Sequence, residues 1–211
     1  MTADDLQGDA NAVGLDRRSR QRADMTRLAA GILEKDGLAG LQARRLAERG
    51  TCAVGTVYNL FGDLDGVIFA ANEETMREIM AACEGALAEI GLGAPAADRL
   101  LALGEAYAQY ALAHPRRFDA LFTHRAPPTR EFPESFEKMT ADLFDLLGAT
   151  FASAATQMPP QERALAARAL WASVHGIVNL GLQDRVGLLT REQILPAVDK
   201  VVRAAVRGMT N

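Results

Sequence analysis

The residues with the clearest chemical potential lie near the N-terminus, where two short helical stretches carry arginines and small polar side chains. Arg44 and Arg45 fall in the first stretch, and Thr56, Tyr58 and Asn59 fall in the second. Guanidinium groups pair with phosphates, hydroxyl groups bond to phosphates or base edges, and an asparagine amide pairs with adenine. These side-chain types predict recognition of double-stranded DNA.

The order of these residues indicates a role for each of them. Arg44, together with the free amide groups of its helix end, is placed to grip a phosphate. Gly55 and Thr56 are small enough for the helix that carries them to lie deep in the major groove of DNA, while Tyr58 reaches a flanking phosphate. Singly, Tyr58 could instead be partly buried and Asn59 merely solvated, but the ordered set favours DNA. The expected DNA contacts are Arg18, Arg44, Arg45, Val54, Gly55, Thr56, Tyr58 and Asn59.

Three predicted helices position these side chains, over about residues 18–35, 42–50 and 54–61. The first has a buried face of apolar residues at three- and four-residue spacing, and Gly37 then supplies a helix stop. The second and third helices are joined by a tight turn, which is the layout of a helix-turn-helix. The expected core residues include Met25, Ile32, Leu33, Leu41, Leu46, Val57, Leu60 and Phe61.

The remainder of the chain predicts longer helices, so the fold class is all-α. We expect residues 1–16 to form a disordered arm, 17–63 the DNA-binding domain, and 64–211 a ligand-binding and dimerisation domain. Further helices are predicted over about 64–90, 96–113, 116–123, 134–156, 161–183 and 191–209. Asp63 is expected to cap the first of these, and Thr190 with Gln193 to cap the last.

Charge divides unevenly along the chain. Residues 17–62 hold nine basic and four acidic side chains, whereas the rest of the chain carries a net charge of −9. This asymmetry favours an approach to DNA by the N-terminal domain alone. We expect reduced cysteines, no membrane span, no signal peptide and a cytoplasmic protein. Enzyme, cofactor and metal-binding motifs are not found, so we expect neither catalysis nor a cofactor.

The pattern Gly37-x-x-x-Leu41-x-x-Arg44-x-Leu46-Ala47, followed by Gly55-Thr56-Val57-Tyr58-x-x-Phe61, resembles the N-terminal domain of the TetR family of transcriptional regulators. The resemblance covers about residues 18–70. A second pattern, Trp171-x-x-x-His175-Gly176-Ile177-x-x-Leu180, is similar to one branch of TetR C-terminal domains. The family implies an all-α homodimer of nine or ten helices that binds a palindromic operator and usually represses. In the family, a small ligand that binds in the C-terminal domain moves the two DNA-binding domains of the dimer apart.

Three positions depart from the family pattern. The turn reads Thr51-Cys52-Ala53 where the family usually has Gly-Val-Ser. Thr51 therefore makes a tight turn without glycine, and Ala53 removes an N-cap that is typically worth about 1 kcal/mol. Leu64 stands where the family usually has a phosphate-binding lysine, a loss that should lower the salt dependence of binding by about one unit of log–log slope.

The ligand-binding cavity is predicted from aromatic, methionine and polar residues of the C-terminal domain. We expect a small, mainly apolar ligand, while recognising that aromatic residues and methionines at helical spacing are mostly core. The expected cavity residues are Met76, Met80, Tyr107, Tyr110, Phe118, Phe122, Phe136, Met139, Phe144, Trp171, His175 and Asn179.

Apolar stripes on the last two helices predict the homodimer interface, as a four-helix contact between two copies. The expected interface residues are Leu170, Val174, Val178, Val198, Val201, Val202 and Ala205. The main hypothesis is thus a ligand-responsive repressor. The alternative is a helical small-molecule-binding or enzymatic protein on the same fold that has lost DNA affinity, and an activator with the same contacts also remains open.

Overall fold

The computed structural model describes residues 3–155, 158–183 and 188–209, with side chains from Asp16 to Gly208. It is all-α, as predicted, and its described residues hold nine α-helices. These are α1 Ala3–Gly40, α2 Ala43–Arg49, α3 Val54–Phe61, α4 Leu64–Ile90, α5 Ala96–Ala113, α6 Pro115–Thr123, α7 Glu134–Ala154, α8 Pro160–Gln183 and α9 Ile194–Met209.

Helix α1 differs from the sequence-based expectation at its start and agrees with it near its end. We expected residues 1–16 to be a disordered arm, but α1 begins at Ala3. Proline, which would remove a helical hydrogen bond and clash with the preceding turn, does not occur before residue 95, so the helix can extend upstream. At Gly37 the regular helix breaks with φ of 68°, which confirms the predicted stop.

The chain divides into two compact units, and neither is a single continuous stretch. The first comprises the chain up to Thr75 together with Arg116–Glu131, and the second comprises Met76–Pro115 together with the chain from Phe132 onward. The boundary expected after residue 63 therefore falls too early. The first turns of α4 and all of α6 after Pro115 belong with the N-terminal helices.

The core of the first unit explains this division. Val67, Ile68 and Ala71 of α4 are buried in one cluster with Ile32 of α1 and Ala120 of α6. Side chains spaced three or four residues apart lie on one face of a helix. The start of α4 therefore adds its apolar face to the core that α1–α3 form. The same cluster contains Met25, Ala29, Leu33, Leu41, Ala43, Leu46, Ala47, Val57, Phe61 and Ala70.

In the second unit, α5 packs against α7, α8 and α9. Gly104 marks a close approach, since a Cβ added there would lie 3.1 Å from Val198 of α9. The predicted capping box of Thr190 and Gln193 is present and begins a 3-10 turn, Arg191–Gln193. Because α9 proper begins at Ile194, Pro196 lies in its first turn, where it costs no helical hydrogen bond.

Helix α8 reaches the lower limit for a membrane span by length and composition, with a mean hydropathy of 1.2 in its most apolar window. The sequence had predicted no such segment. A core helix passes the same test, and Leu170, Val174 and Val178 of α8 are buried within the second unit.

Candidate nucleic-acid interface and ligand cavity

Helix α3 is oriented by two apolar anchors. Val57 and Phe61 are buried in the core of the first unit, with 0% and 6% of their surface exposed. Gly55, Tyr58 and Asn59 are consequently exposed, with 47% of Tyr58 accessible. Predicted contacts Thr56 and Val54 are half-buried, and Val54 packs on the core. Helix α3 thus presents a narrow polar face to solvent.

Two arginines of α1 hold the C-terminal end of α3. Arg18 donates from Nη2 to the carbonyl oxygen of Asn59 at 2.7 Å, and Arg22 donates to the carbonyl oxygen of Leu60 at 2.5 Å. The Arg22 guanidinium also lies 4.5 Å from the centre of the Phe61 ring. The last carbonyls of a helix lack intrahelical donors and carry partial negative charge, so both arginines stabilise α3. Arg18 therefore helps to position α3, and the direct DNA contact expected of it stays a prediction.

The two arginines of α2 have different roles in the structure. Arg45 donates to Asp36 at 2.6 Å and to the carbonyl oxygen of Gly40 at 3.2 Å, which links α2 to the end of α1. The sequence did not predict this half-buried contact, and the DNA contact expected of Arg45 stays a prediction. Arg44 has 85% of its side chain exposed and pairs with Glu48 at 3.1 Å. Exposed pairs of this kind are weak, so the Arg44 guanidinium can exchange Glu48 for phosphate.

The three departures from the family pattern have visible structural effects. Thr51 has a φ of 52°, in the left-handed region that favours glycine. Ala53 occupies the N-cap of α3 and makes no side-chain cap hydrogen bond. Leu64 packs against the core of the first unit. The features of Thr51 and Ala53 agree with the expectation drawn from the sequence, whereas the expected effect of Leu64 on the salt dependence of DNA binding stays a prediction.

The start of α4 is joined to the segment that follows α6. Asp63 accepts a hydrogen bond from the Gly66 amide at 2.7 Å, as a helix cap does, and its other oxygen accepts from Arg130 at 2.8 Å. His124 Nε2 lies 3.3 Å from Asp65 Oδ1, without hydrogen-bond geometry, and its ring meets Phe69 edge-on at 5.5 Å. The sequence predicted the Asp63 cap but not the contacts with Arg130 and His124, because those partners lie roughly sixty residues away along the chain.

A cavity of about 50 Å³ lies within the second unit, between α4, α5, α7, α8 and α9. Its lining is almost wholly apolar. It is formed by Cys83, Leu100, Leu103, Gly104, Tyr107, Leu143, Phe144, Leu146, Leu147, Leu170, Trp171, Val174 and Val202. Of the expected cavity residues, Tyr107, Phe144 and Trp171 line it. The missed leucines could have been found from their spacing on α5 and α7, which repeats every three or four residues.

Most of the other residues expected at the cavity lie elsewhere. Phe122 and Phe118 belong to α6 in the first unit, where their rings are 5.0 Å apart. Tyr110 is buried and donates to Glu78 at 2.7 Å, while Asn179 accepts from Gln183 at 3.0 Å on an exposed edge of α8. The aromatic and methionine pattern does not separate core positions from cavity positions. Also outside the lining are Met76, Met80, Phe136 and Met139.

His175 is not part of the lining but orders one end of it. Its Nδ1 lies 2.9 Å from the Tyr107 hydroxyl, and its ring is stacked on that of Trp171 at 5.1 Å. Burial lowers the pKa of His175, so the neutral imidazole is favoured and Nδ1 can accept from Tyr107. Burial, and then the neighbouring Cys83, raise the pKa of Tyr107, which keeps its hydroxyl protonated.

The predicted dimer stripes are largely a core feature. Five of the predicted interface residues are buried within one protomer, each with at most 6% of its surface exposed. These are Leu170, Val174, Val178, Val198 and Val202. Only Val201 and Ala205 are half-exposed, and they line a surface groove of about 300 Å³. The groove is completed by Phe151, Ala166, Ala169, Leu170, Ser173 and Gly208. The spacing of apolar residues identifies an apolar face of a helix. It does not show whether that face packs inside the protomer or against a second copy.

The outward face of α8 is apolar as well. Leu165 and Leu180 are 70% and 43% exposed, and Ala169 is also exposed. Among the described residues, no three His, Cys, Asp or Glu side chains converge on a common point that could hold a metal ion.

Comparisons with known proteins agree with this architecture. Residues 100–207 match the family model described as the tetracyclin repressor-like C-terminal domain. A protein with unknown function from Rhodococcus sp. RHA1 has a TM-score of 0.73 at 25% identity, covering 90% of this chain and 96% of that one. A TetR transcriptional regulator from Streptomyces coelicolor has a TM-score of 0.64 at 20% identity, covering 89% and 97%.

A TetR variant from Acinetobacter baumannii AYE, in complex with minocycline, has a TM-score of 0.62 at 16% identity and covers 88% and 94% of the two chains. No curated protein sequence matches this chain.

Proposed function

Because this chain belongs to the TetR family of transcriptional regulators, we propose that it is a homodimeric repressor that binds a palindromic operator and is released by a small, mainly apolar ligand. The observation that carries the proposal is the exposed polar face of α3, formed by Gly55, Tyr58 and Asn59 around two buried anchors. Such a helix enters the major groove, where side chains reach base edges. The proposed site of action is the cytoplasm.

Operator binding is tested by selecting the purified protein against a random pool of double-stranded DNA at two salt concentrations. We expect a palindrome to be enriched and its affinity to fall steeply as salt rises, because phosphate contacts release counterions. Failure to enrich any sequence at low salt, with protein freed of bound small molecules, would contradict the proposal.

The two proposed contacts Arg44 and Tyr58 are tested by Arg44→Ala and Tyr58→Phe. Both should weaken operator binding while leaving the melting temperature unchanged, since both side chains are exposed. Lys138→Ala is the matched control, because Lys138 forms the same kind of exposed pair, at 2.8 Å to Asp142, on α7. Equal affinity of all three variants would reject these assignments.

The homodimer is proposed to form through the outward face of α8 and the groove beside α9. An exposed apolar face with a groove of small residues suits a helix of a second copy. Leu180→Glu should convert the dimer into monomers in light scattering. Leu92→Glu, which changes a leucine that is 86% exposed outside this face, should leave the dimer intact.

A second function is favoured by the strained turn and the uncapped α3. A protein with Thr51 at positive φ and no cap at Ala53 could bind a small molecule on the same fold without binding DNA. Absence of salt-sensitive duplex binding, combined with ligand binding in the cavity, would support this alternative. Turnover of the ligand would then establish an enzyme.

A further inference from the structure

The cavity of the second unit combines an apolar lining with one polar group that the protein leaves unpaired. Its lining contains no charged side chain, so a charged ligand would lose its hydration without gaining a counterion. A water-sized group needs about 10–15 Å³ of such volume, so a cavity of about 50 Å³ holds roughly four such groups before side chains move. The cavity therefore selects small and uncharged molecules.

Three polar groups border this cavity, and two of them are already satisfied or inert. The Tyr107 hydroxyl is paired with His175 Nδ1 at 2.9 Å. The Cys83 thiol lies 4.0 Å from the Leu103 carbonyl oxygen, and burial, followed by the charge of Glu84, raises its pKa to about 12. The thiol is consequently protonated and a weak nucleophile.

The third group is the indole N–H of Trp171. Nε1 is buried and makes no hydrogen bond among the described residues. The neighbouring indole opposes the rise that burial causes in the pKa of Tyr107, but the indole N–H and the Tyr107 hydroxyl do not meet hydrogen-bond geometry. A buried donor without an acceptor is destabilising, and native proteins leave few of them.

The Trp171 ring is held in place by its neighbours. It stacks on His175 at 5.1 Å with an interplanar angle of 12°, and Phe144 meets it edge-on at 5.2 Å and 70°. The direction of the N–H bond is thus fixed before any ligand arrives, which lowers the entropic cost of binding.

We propose that the cavity binds a small, uncharged carbonyl compound whose oxygen accepts a hydrogen bond from Trp171 Nε1–H and whose alkyl part contacts the leucines of α5 and α7. A carbonyl fits better than an alcohol, because it accepts without bringing a donor that would itself need a partner. This inference specifies the ligand of the proposed regulator and rests on that proposed function for its biological role.

The test is a titration of the full-length protein followed by NMR of the indole N–H. Trp171 is the single tryptophan of the chain, so the spectrum contains one indole signal. Three probes of nearly equal shape are compared: butanone, its isostere with a methylene group in place of the carbonyl oxygen, and propanoate. Butanone should move the indole proton downfield in a saturable manner.

The methylene isostere should bind about three- to tenfold more weakly and cause no downfield shift, since one hydrogen bond is typically worth that factor. Propanoate should not bind. Equal binding of butanone and its isostere, binding of propanoate, or no saturable response to butanone would each overturn the proposal. A water molecule that already satisfies Nε1 would produce the first of these results.

Trp171→Phe provides a second test, with the leucine methyl signals as the readout of binding. The variant should bind butanone more weakly than its isostere, because the carbonyl oxygen then loses its hydrogen bonds to water without gaining one, while affinity for the isostere stays unchanged. If this variant does not fold, the comparison of the three probes on the unaltered protein still decides the question. Since the titration contains no DNA, its failure is distinguishable from a failure to bind an operator.

Discussion

Thr51 holds the turn between α2 and α3 in a backbone conformation that glycine adopts at lower cost. Its φ of 52° brings Cβ close to the following carbonyl group, which costs about 1–2 kcal/mol for an L-residue. Thr51→Gly should therefore raise the free energy of unfolding by about 0.5–1 kcal/mol, once the greater freedom of glycine in the unfolded chain is subtracted. Denaturant unfolding measures the change. Thr51→Ala keeps Cβ, so an equal gain in that variant would contradict the strain argument.

His175 should make the stability of the protein depend on pH. Burial lowers its pKa in the folded state below the ordinary value of 6.5, so the unfolded chain binds more protons at acidic pH. The contribution of His175 is complete above pH 6.5 and declines as the pH falls toward the folded-state pKa. Unfolding free energies measured across this range should fall with acidification. His175→Asn, which keeps a polar partner for Tyr107 but does not titrate, should flatten that slope.

At the scale of elements, packing does not account for Gly55 of α3, whereas the proposed approach of α3 to DNA does. A Cβ added there would meet nothing within 4 Å, so packing does not require glycine. Gly55→Ala should stabilise the protein by up to about 1 kcal/mol through helix propensity, yet weaken operator binding because α3 could no longer approach DNA as closely. Thermal unfolding and operator titration measure the two effects.

Gly31 provides the matched control for this prediction. It lies on an exposed position of α1 in the same unit, and a Cβ there would also meet nothing within 4 Å. Gly31→Ala should give a comparable stability gain with unchanged operator affinity. Identical operator affinity for Gly55→Ala and the unaltered protein would show that α3 does not lie deep in a groove.

Helix boundaries were the part of the fold that the sequence predicted best. The observed α3, α4 and α5 have the predicted limits, because their ends depend on local signals such as Gly62, Pro95 and the His114-Pro115 pair. Long-range partners were not predictable. Arg18 pairs with a carbonyl group forty-one residues away, and nothing local to it indicates that partner.

The same limit applies to the faces of α8. Val174 and Val178 form an apolar stripe whether they pack inside the protomer or against a second copy, because both environments favour the same side chains. Only the positions of α5 and α9 decide between the two, and these depend on packing across the whole second unit.

At the scale of the whole molecule, the first unit depends on a segment from the middle of the chain. The Asn72 side chain donates to the Ala120 carbonyl oxygen at 3.4 Å, and Arg117 donates to Thr75 at 3.2 Å. A fragment ending at Thr75 should therefore unfold at a lower temperature, and less cooperatively, than the first unit in the full chain. Circular dichroism with and without an added peptide spanning residues 115–131 measures the effect. A fragment as stable alone as with the peptide would contradict it.

Because the first unit consists of two separate stretches of the chain, it can be completed only late in synthesis. The ribosome synthesises α1–α3 early. The segment Arg116–Glu131, which contributes Arg117, His124 and Arg130 to the first unit, follows only after some forty residues of the second unit. Until then the apolar side of α4 that Ala120 covers is open to solvent, a state in which nascent chains aggregate or recruit chaperones. The helices proposed to contact DNA should thus reach their final stability only when translation has passed Glu131.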